Sequence, residues 1–268
     1  MEMLLVNDMK KTAIRLFRTK IFWAGAAAFA LLYGMFWQGR NETSTTGAIV
    51  QSKKIPIYSV ESQKKVVALA FDAAWGNEDT EEILKVLADN DVKVTFFMTG
   101  GWVDKYPEDV KKIKEAGHTL GNHSQNHKNM SKLSVEDCKQ EIMTVHNKVK
   151  ELTGFEMELF RPPYGDYNDM VVNTTFELGY YPIQWSVDSL DWKNYGVQNI
   201  VDSVVYHKSL ENGAIILMHN GAKYTAKALP AIINALKEKG YSFVTVDELI
   251  LRENYSIDHT GKQIPKKC

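Results

Sequence analysis

Two histidines four residues apart, His123 and His127 in the segment HSQNH, can present their ring nitrogens to one divalent metal ion, or can be two polar residues on a surface loop. The segment RPPYG, Arg161 to Gly165, sets a guanidinium ahead of two prolines that stiffen the backbone and fix the direction of Tyr164. Its plainer reading is a proline turn beside a surface arginine. WSVDSLDW joins Asp188 and Asp191 to Trp185 and Trp192, a mixture suited to stacking on a sugar face and to holding a histidine, although core tryptophans at a strand end read the same way. An apolar run, IILMHN, leads into His219, which is either a catalytic or a satisfied structural histidine. Another apolar run leads into Asp72 in FDAAWG.

These residues need a scaffold that gathers them. From Val66 onward, short apolar runs alternate with amphipathic helical patterns, the signature of βα units and a parallel sheet. Strands are predicted at Val66–Phe71, Val94–Met98, Thr119–Asn122, Met157–Phe160, Tyr181–Val187, Ala214–Met218 and Ser242–Thr245. Helical patterns at Glu78–Asn90, Pro107–Ala116 and Ser134–Thr153 lie between them, with Gly117, Gly154, Gly179 and Gly240 at C-terminal stop positions. Seven βα units favour an α/β barrel, while a doubly wound open sheet has the same periodicity. In a parallel barrel, working residues sit where strands end. Asp72 follows the first strand, His123 and His127 the third, Arg161 the fourth, Asp188 and Asp191 the fifth, and His219 the sixth. Strand ends are also where polar residues become common in any βα protein.

The formal net charge of −1 over 268 residues divides into +4 for residues 1–40 and −5 for the remainder. A mildly acidic domain without a basic stripe argues against nucleic acid as a partner. The basic residues Lys10, Lys11, Arg15, Arg18 and Lys20 precede the uncharged run Ile21–Trp37, which reads as a membrane helix with residues 1–20 cytoplasmic and the rest exported. A cleavable signal peptide is the rival, but the bulky exit GMFWQGR does not suit cleavage; a buried soluble helix would need a polar face. Residues 38–64 read as an extracytoplasmic linker, 65–252 as the catalytic-type domain and 253–268 as a loose polar tail. Cys138 and Cys268 have no metal or disulfide spacing. No obligate protein partner is evident.

Taken together, FDAAWG, HSQNH, RPPYG, DSLDW and ILMHN resemble, in order, the five motifs of the polysaccharide deacetylases of carbohydrate esterase family 4, the NodB homology domain, over about residues 60–252. The form of the first motif is similar to that of the sporulation-associated bacterial branch. The resemblance implies a distorted (β/α)7 barrel, a cell-wall glycan substrate and a divalent metal, zinc in the first instance and otherwise cobalt, manganese or nickel. It implies that Asp72 is the general base held bidentately by Arg161, and that His123 and His127 bind the metal. His219 would be the general acid oriented by Asp191; Tyr164 would stabilise the oxyanion, and Trp192 and Leu217 would wall the acetyl pocket. Trp75 joins the expected substrate contacts.

One position departs from the pattern. The family's first motif usually has two adjacent carboxylates, the second a metal ligand, and here that position is Ala73. Asp72, Asn122 or water would have to fill the gap. The expectation is therefore metal-dependent deacetylation of peptidoglycan amino sugars, with a non-catalytic or weakly active wall-binding relative as its alternative. Chitin-like oligomers and acetylated xylan are the alternative substrates.

Overall fold

The computed structural model describes residues 54–266. The run expected to span a membrane lies outside them, and among the described residues no helix is long and apolar enough to cross a membrane. In chain order the first elements are β1 (Ser59–Val60), β2 (Val66–Ala73), α1 (Thr80–Asp89), β3 (Thr95–Met98), α2 (Gly100–Lys105), α3 (Pro107–Glu115) and β4 (Thr119–Asn122). Next come α4 (Val135–Thr153), β5 (Leu159–Phe160), α5 (Asp169–Glu177), β6 (Tyr181–Pro182), β7 (Val187–Asp188) and α6 (Val197–Val205). The chain ends with β8 (Ala214–Asn220), α7 (Thr225–Glu238), β9 (Ser242–Phe243), α8 (Val246–Leu249), β10 (Tyr255–Ile257) and β11 (Lys262–Pro265).

The result is an α/β fold around one curled, mixed sheet in the order β10-β11-β1-β8-β2-β3-β4-β5-β6. From β8 to β6 neighbouring strands are parallel, as the βα alternation predicts. Strand β2 is central and buried on both faces, which accounts for its nearly unbroken apolar run. Alternation along it divides the core. Val67, Leu69 and Phe71 pack with the helices, whereas Ala68 and Ala70 face an inner cluster with Phe97, Leu159, Ile183 and Ile215. Asp72 follows on the inner parity.

The sheet curls without closing as a continuous ladder. The strand expected at Tyr181–Val187 is two strands of two residues each, and the residues between them serve different neighbours. Ile183 N donates to Phe160 O at 2.8 Å, Gln184 N to Ile57 O at 2.7 Å, and Ser186 N to Ile215 O at 3.0 Å. Pro182 has no N–H for a ladder, and Ile57, fully buried, fills the seam.

The linker and tail boundaries need correction. Residues from 56 to 60, expected in the linker, supply Ile57 and β1, which pairs with β8 and β11. The expected polar tail is largely the β10–β11 hairpin. Its buried Gln263 accepts from Leu251 N and donates to Leu251 O, both at 2.7 Å, so a polar side chain completes backbone pairing where no apolar residue marks a strand.

Between β3 and β4, His118 Nδ1 accepts from Val94 N at 3.3 Å. Burial, with the charge of Lys93 added, lowers its pKa from 6.5 to about 4. The unfolded chain therefore binds a proton that the folded chain excludes. This contribution to stability is complete above pH 6.5 and is lost as pH falls towards 4, by up to about 3 kcal/mol. The expected result is a shallower fall of Tm between pH 7 and pH 5 in His118→Asn than in the native protein; parallel profiles would remove His118 from the account.

Candidate functional site

The parallel register brings the predicted residues to one edge of the sheet. Asp72 on β2 lies opposite His219 on β8, and Ala73 opposite Asn220. Met98 pairs with Asn122 and Asn122 with Phe160, so His123 and Arg161 leave neighbouring strands side by side. Asp188 pairs with Leu217. Above this edge is a cleft of about 450 Å³ lined by Asp72, Trp75, His123, His127, Tyr164, Trp192, Leu217 and His219, together with Ala74, Trp185 and Asp188. The other two predicted residues, Arg161 and Asp191, stand behind Asp72 and His219 and are fully buried.

Asp72 is 5% exposed. Arg161 Nη1 donates to its Oδ1 at 2.7 Å, while Nη2 turns to Gln184 O at 3.3 Å. The expected bidentate pair is thus a single bond, because the guanidinium is stacked 4.2 Å from the Phe97 ring centroid and shared with a backbone carbonyl. Burial pushes the Asp72 pKa up, but the charge of Arg161, with the nearby His123 and His219 rings adding to it, outweighs burial and holds the carboxyl below its ordinary range.

Across the cleft, Asp191 binds His219 at two points. His219 Nδ1 lies 2.7 Å from Asp191 Oδ1, and His219 N donates to Oδ2 at 2.7 Å; Thr225 Oγ1 donates to Oδ2 as well. Burial lowers the His219 pKa, but the Asp191 carboxylate, with Asp72 and Asp188, raises it above the ordinary histidine value. Trp75 covers this ring in a stacked contact, with centroids 4.9 Å apart and planes 15° from parallel. The cleft therefore holds an ionised carboxylate on one wall and a readily protonated imidazole on the other.

The histidine pair is shaped as metal ligands are, as far as it goes. His123 Nδ1 lies 2.7 Å from Arg161 O, an arrangement that protonates Nδ1 and leaves Nε2 a free lone pair. Burial lowers its pKa to about 4, and burial also lowers that of His127, so both rings are neutral at pH 7. The rings are 4.9 Å apart, and His127 packs edge-on against Tyr164, whose left-handed φ of 59° turns its ring onto the cleft rim. Glu141 holds their loop by accepting from Asn126 N and Nδ2, both at 2.8 Å. Few donors stand beside them. Ala73 is a buried methyl, Asn122 Oδ1 already accepts from Ser124 N at 3.0 Å, and Asp72 accepts from Arg161 through Oδ1, its Oδ2 lying 3.5 Å from His123 Nε2. Among the described residues no group of three or more His, Cys, Asp or Glu side chains could hold a metal ion. Catalytic zinc sites have three protein ligands. These residues do not fit such a site.

A polysaccharide deacetylase family model matches residues 59–183. A peptidoglycan-N-acetylglucosamine deacetylase of Bacillus cereus is 37% identical over 216 residues, covering 79% of this chain and 97% of that protein. The chain belongs to the polysaccharide deacetylases of carbohydrate esterase family 4. Solved structures of PdaA and of the peptidoglycan deacetylase PdaC of Bacillus subtilis also match, at 32% and 33% identity over 72% and 71% of this chain. The chain spans only 60% of another relative, the uncharacterized YlxY of Bacillus subtilis, to which it is 36% identical over 195 residues and 73% of its own length. Among solved structures, wild-type BA3943 of Bacillus anthracis, a CE4 family pseudoenzyme, matches with a TM-score of 0.70 at 36% identity, over 72% of this chain and 68% of that one. A mutant of that protein has restored enzymatic activity.

Membership explains why the five motifs meet at one edge. Trp185 and Asp188, singled out within WSVDSLDW without a role of their own, also line this deacetylase-family cleft. Sequence reasoning missed Ala74, which carried no signal.

Proposed function

We propose that the domain binds acetylated amino-sugar glycan of the cell wall in the cleft between Asp72 and His219, as a family member that has lost deacetylation or retains only a residue of it. The observation that carries this reading is Ala73: with a methyl group in place of the second carboxylate, His123 and His127 are left as two neutral donors that do not complete a metal site. Trp75 and Trp192, 48% and 46% exposed, offer flat faces to sugar rings. Leu217 and Trp192 form an apolar wall for an acetyl group, and Tyr164 closes the rim. The His219 imidazolium donates to, and the Asp72 carboxylate accepts from, the polar atoms of the acetamide. Asp191 and Arg161 position those two groups.

Residual hydrolysis is favoured by one further observation, the intact Asp72–Arg161 and Asp191–His219 pairs. A binding module needs neither a base held ionised nor an acid held protonated. If turnover persists, Asp72→Asn and His219→Ala each abolish it.

For topology, we propose that residues 21–37 span the membrane with residues 1–20 in the cytoplasm, which places the glycan-binding domain beside the wall. A carboxyl end protected from protease added outside intact cells would contradict this.

Binding is tested by titration calorimetry with chitotetraose and with peptide-free wall glycan. Trp192→Ala is expected to weaken binding about tenfold, which corresponds to ~1.4 kcal/mol. Acetylated xylan carries the same acetyl group on oxygen without the amide N–H, and is expected to compete poorly. Unchanged affinity in Trp192→Ala would move the glycan out of this cleft.

A further inference from the structure

The turns that carry Trp75 and His219 are fastened to one another. Asp72 and His219 pair across β2 and β8; Trp75 follows the first by three residues and Gly221 the second by two. Gly221 has φ +85°, and a Cβ there would lie 2.9 Å from Gly76 N, so the two turns meet as closely as they do only because residue 221 is glycine. Trp102 Nε1 donates to Gly76 O at 3.1 Å, and Asp79 Oδ1 accepts from Gly221 N and Asn220 Nδ2, both at 2.7 Å. The Trp75 indole is thus set over the imidazole from a rigid base, with centroids 4.9 Å apart and planes 15° from parallel.

That contact occupies one face of the indole, and the residue stays exposed on its other side. It also completes the enclosure of His219, whose side chain is 14% exposed. Asp191 takes Nδ1 and the backbone N–H, Trp75 covers a ring face, and Nε2 is left for the cleft. The titratable groups facing this ring are Asp191 on the turn after β7, Asp188 on β7, Asp72 on β2 and, beyond β4, the neutral ring of His127. Burial by itself disfavours an imidazolium, whereas the π face of an indole attracts one. An aliphatic side chain in place of Trp75 would keep the first effect and lose the second.

We propose that Trp75 is a positioning residue for His219: beyond the open face it offers a sugar, its indole caps the imidazolium and fixes the ring with Nε2 towards the cleft. Trp75 therefore acts on the acetamide through His219. The inference rests on the glycan-binding reading for the use made of the imidazolium, and not for the cap itself.

The test is a titration of the histidine ring resonances by NMR in the full-length protein, without ligand and with chelator, the His219 signal being assigned by its loss in His219→Gln. Trp75→Phe keeps a π face over the ring, and Trp75→Leu keeps a cover without one. The native protein and Trp75→Phe are expected to titrate at His219 above pH 6.5, and Trp75→Leu about half a pH unit lower than either, the size of one cation–π contact. The pH profile of chitotetraose binding is expected to move down by the same half unit in Trp75→Leu and to be restored in Trp75→Phe. Equal His219 midpoints in the phenylalanine and leucine variants would overturn the positioning role, even with glycan binding intact. Absence of chitotetraose binding in the native protein would overturn the glycan-binding reading alone, since the midpoints in the ligand-free protein still decide the role of Trp75.

Discussion

Ala73→Asp is expected to convert a chain that binds zinc weakly into one that binds it on the order of 100-fold more tightly, because it adds the anionic oxygen donor missing from the histidine pair. Residue 73 ends strand β2 beside the cleft-lining Ala74 and Trp75, but its methyl packs with the helix-facing cluster of Leu69 and Phe71, so the strand end must turn to carry the new carboxylate to the histidines. The methyl group it replaces is fully buried. Without metal, the variant should therefore be less stable than the native chain by about 1–3 kcal/mol, the cost of burying an unpaired polar group. Zinc at about 100 times its dissociation constant should restore about 2.7 kcal/mol. Thermal unfolding with and without zinc, beside calorimetric titration of zinc, reads both effects. A variant that binds zinc no better than the native protein would show that the deficit does not lie at this position.

Arg161→Leu should lower unfolding stability by about 3–5 kcal/mol, since it leaves the buried Asp72 carboxylate without its hydrogen-bonded counter-charge. Arg161 is fully buried and its only ion-pair partner among the described residues is Asp72, at 2.7 Å. Leucine keeps apolar volume between Phe97 and Trp185, so the loss is chiefly electrostatic. Adding Asp72→Asn should recover a large part of it, because two neutral groups need no ion pairing. Urea unfolding of the two single variants and the double variant closes the cycle. A loss below about 1 kcal/mol in Arg161→Leu would mean that the pair is not what holds this edge together. The same pair thus has a structural reason to be present in a chain that does not catalyse.

Residues at strand ends were legible because each motif couples an apolar run to a polar residue, as in IILMHN and LAFDAA, and parallel register then places those residues together whatever the loops do. Ala73 was legible as a departure only against the family's first motif. Other features depend on contacts distant in sequence. Gln263 completes Leu251's backbone pairing through its side-chain amide, and the hairpin that contains it has strands of only three and four residues, too short a pattern to read as anything but a tail. Ile57 sits in a seam between strands more than a hundred residues away in the chain. The stacking of Trp75 on His219 and the turn of Arg161 Nη2 towards Gln184 O arise from side-chain packing that periodicity does not encode.

The most direct test of the central claim is acetate release from N-acetylated wall glycan by the full-length protein, measured with added zinc or cobalt and with chelator, beside binding of the same glycan. The account predicts binding without metal-stimulated release. Release that requires the metal and disappears in His123→Ala would contradict it, by showing that two histidines suffice.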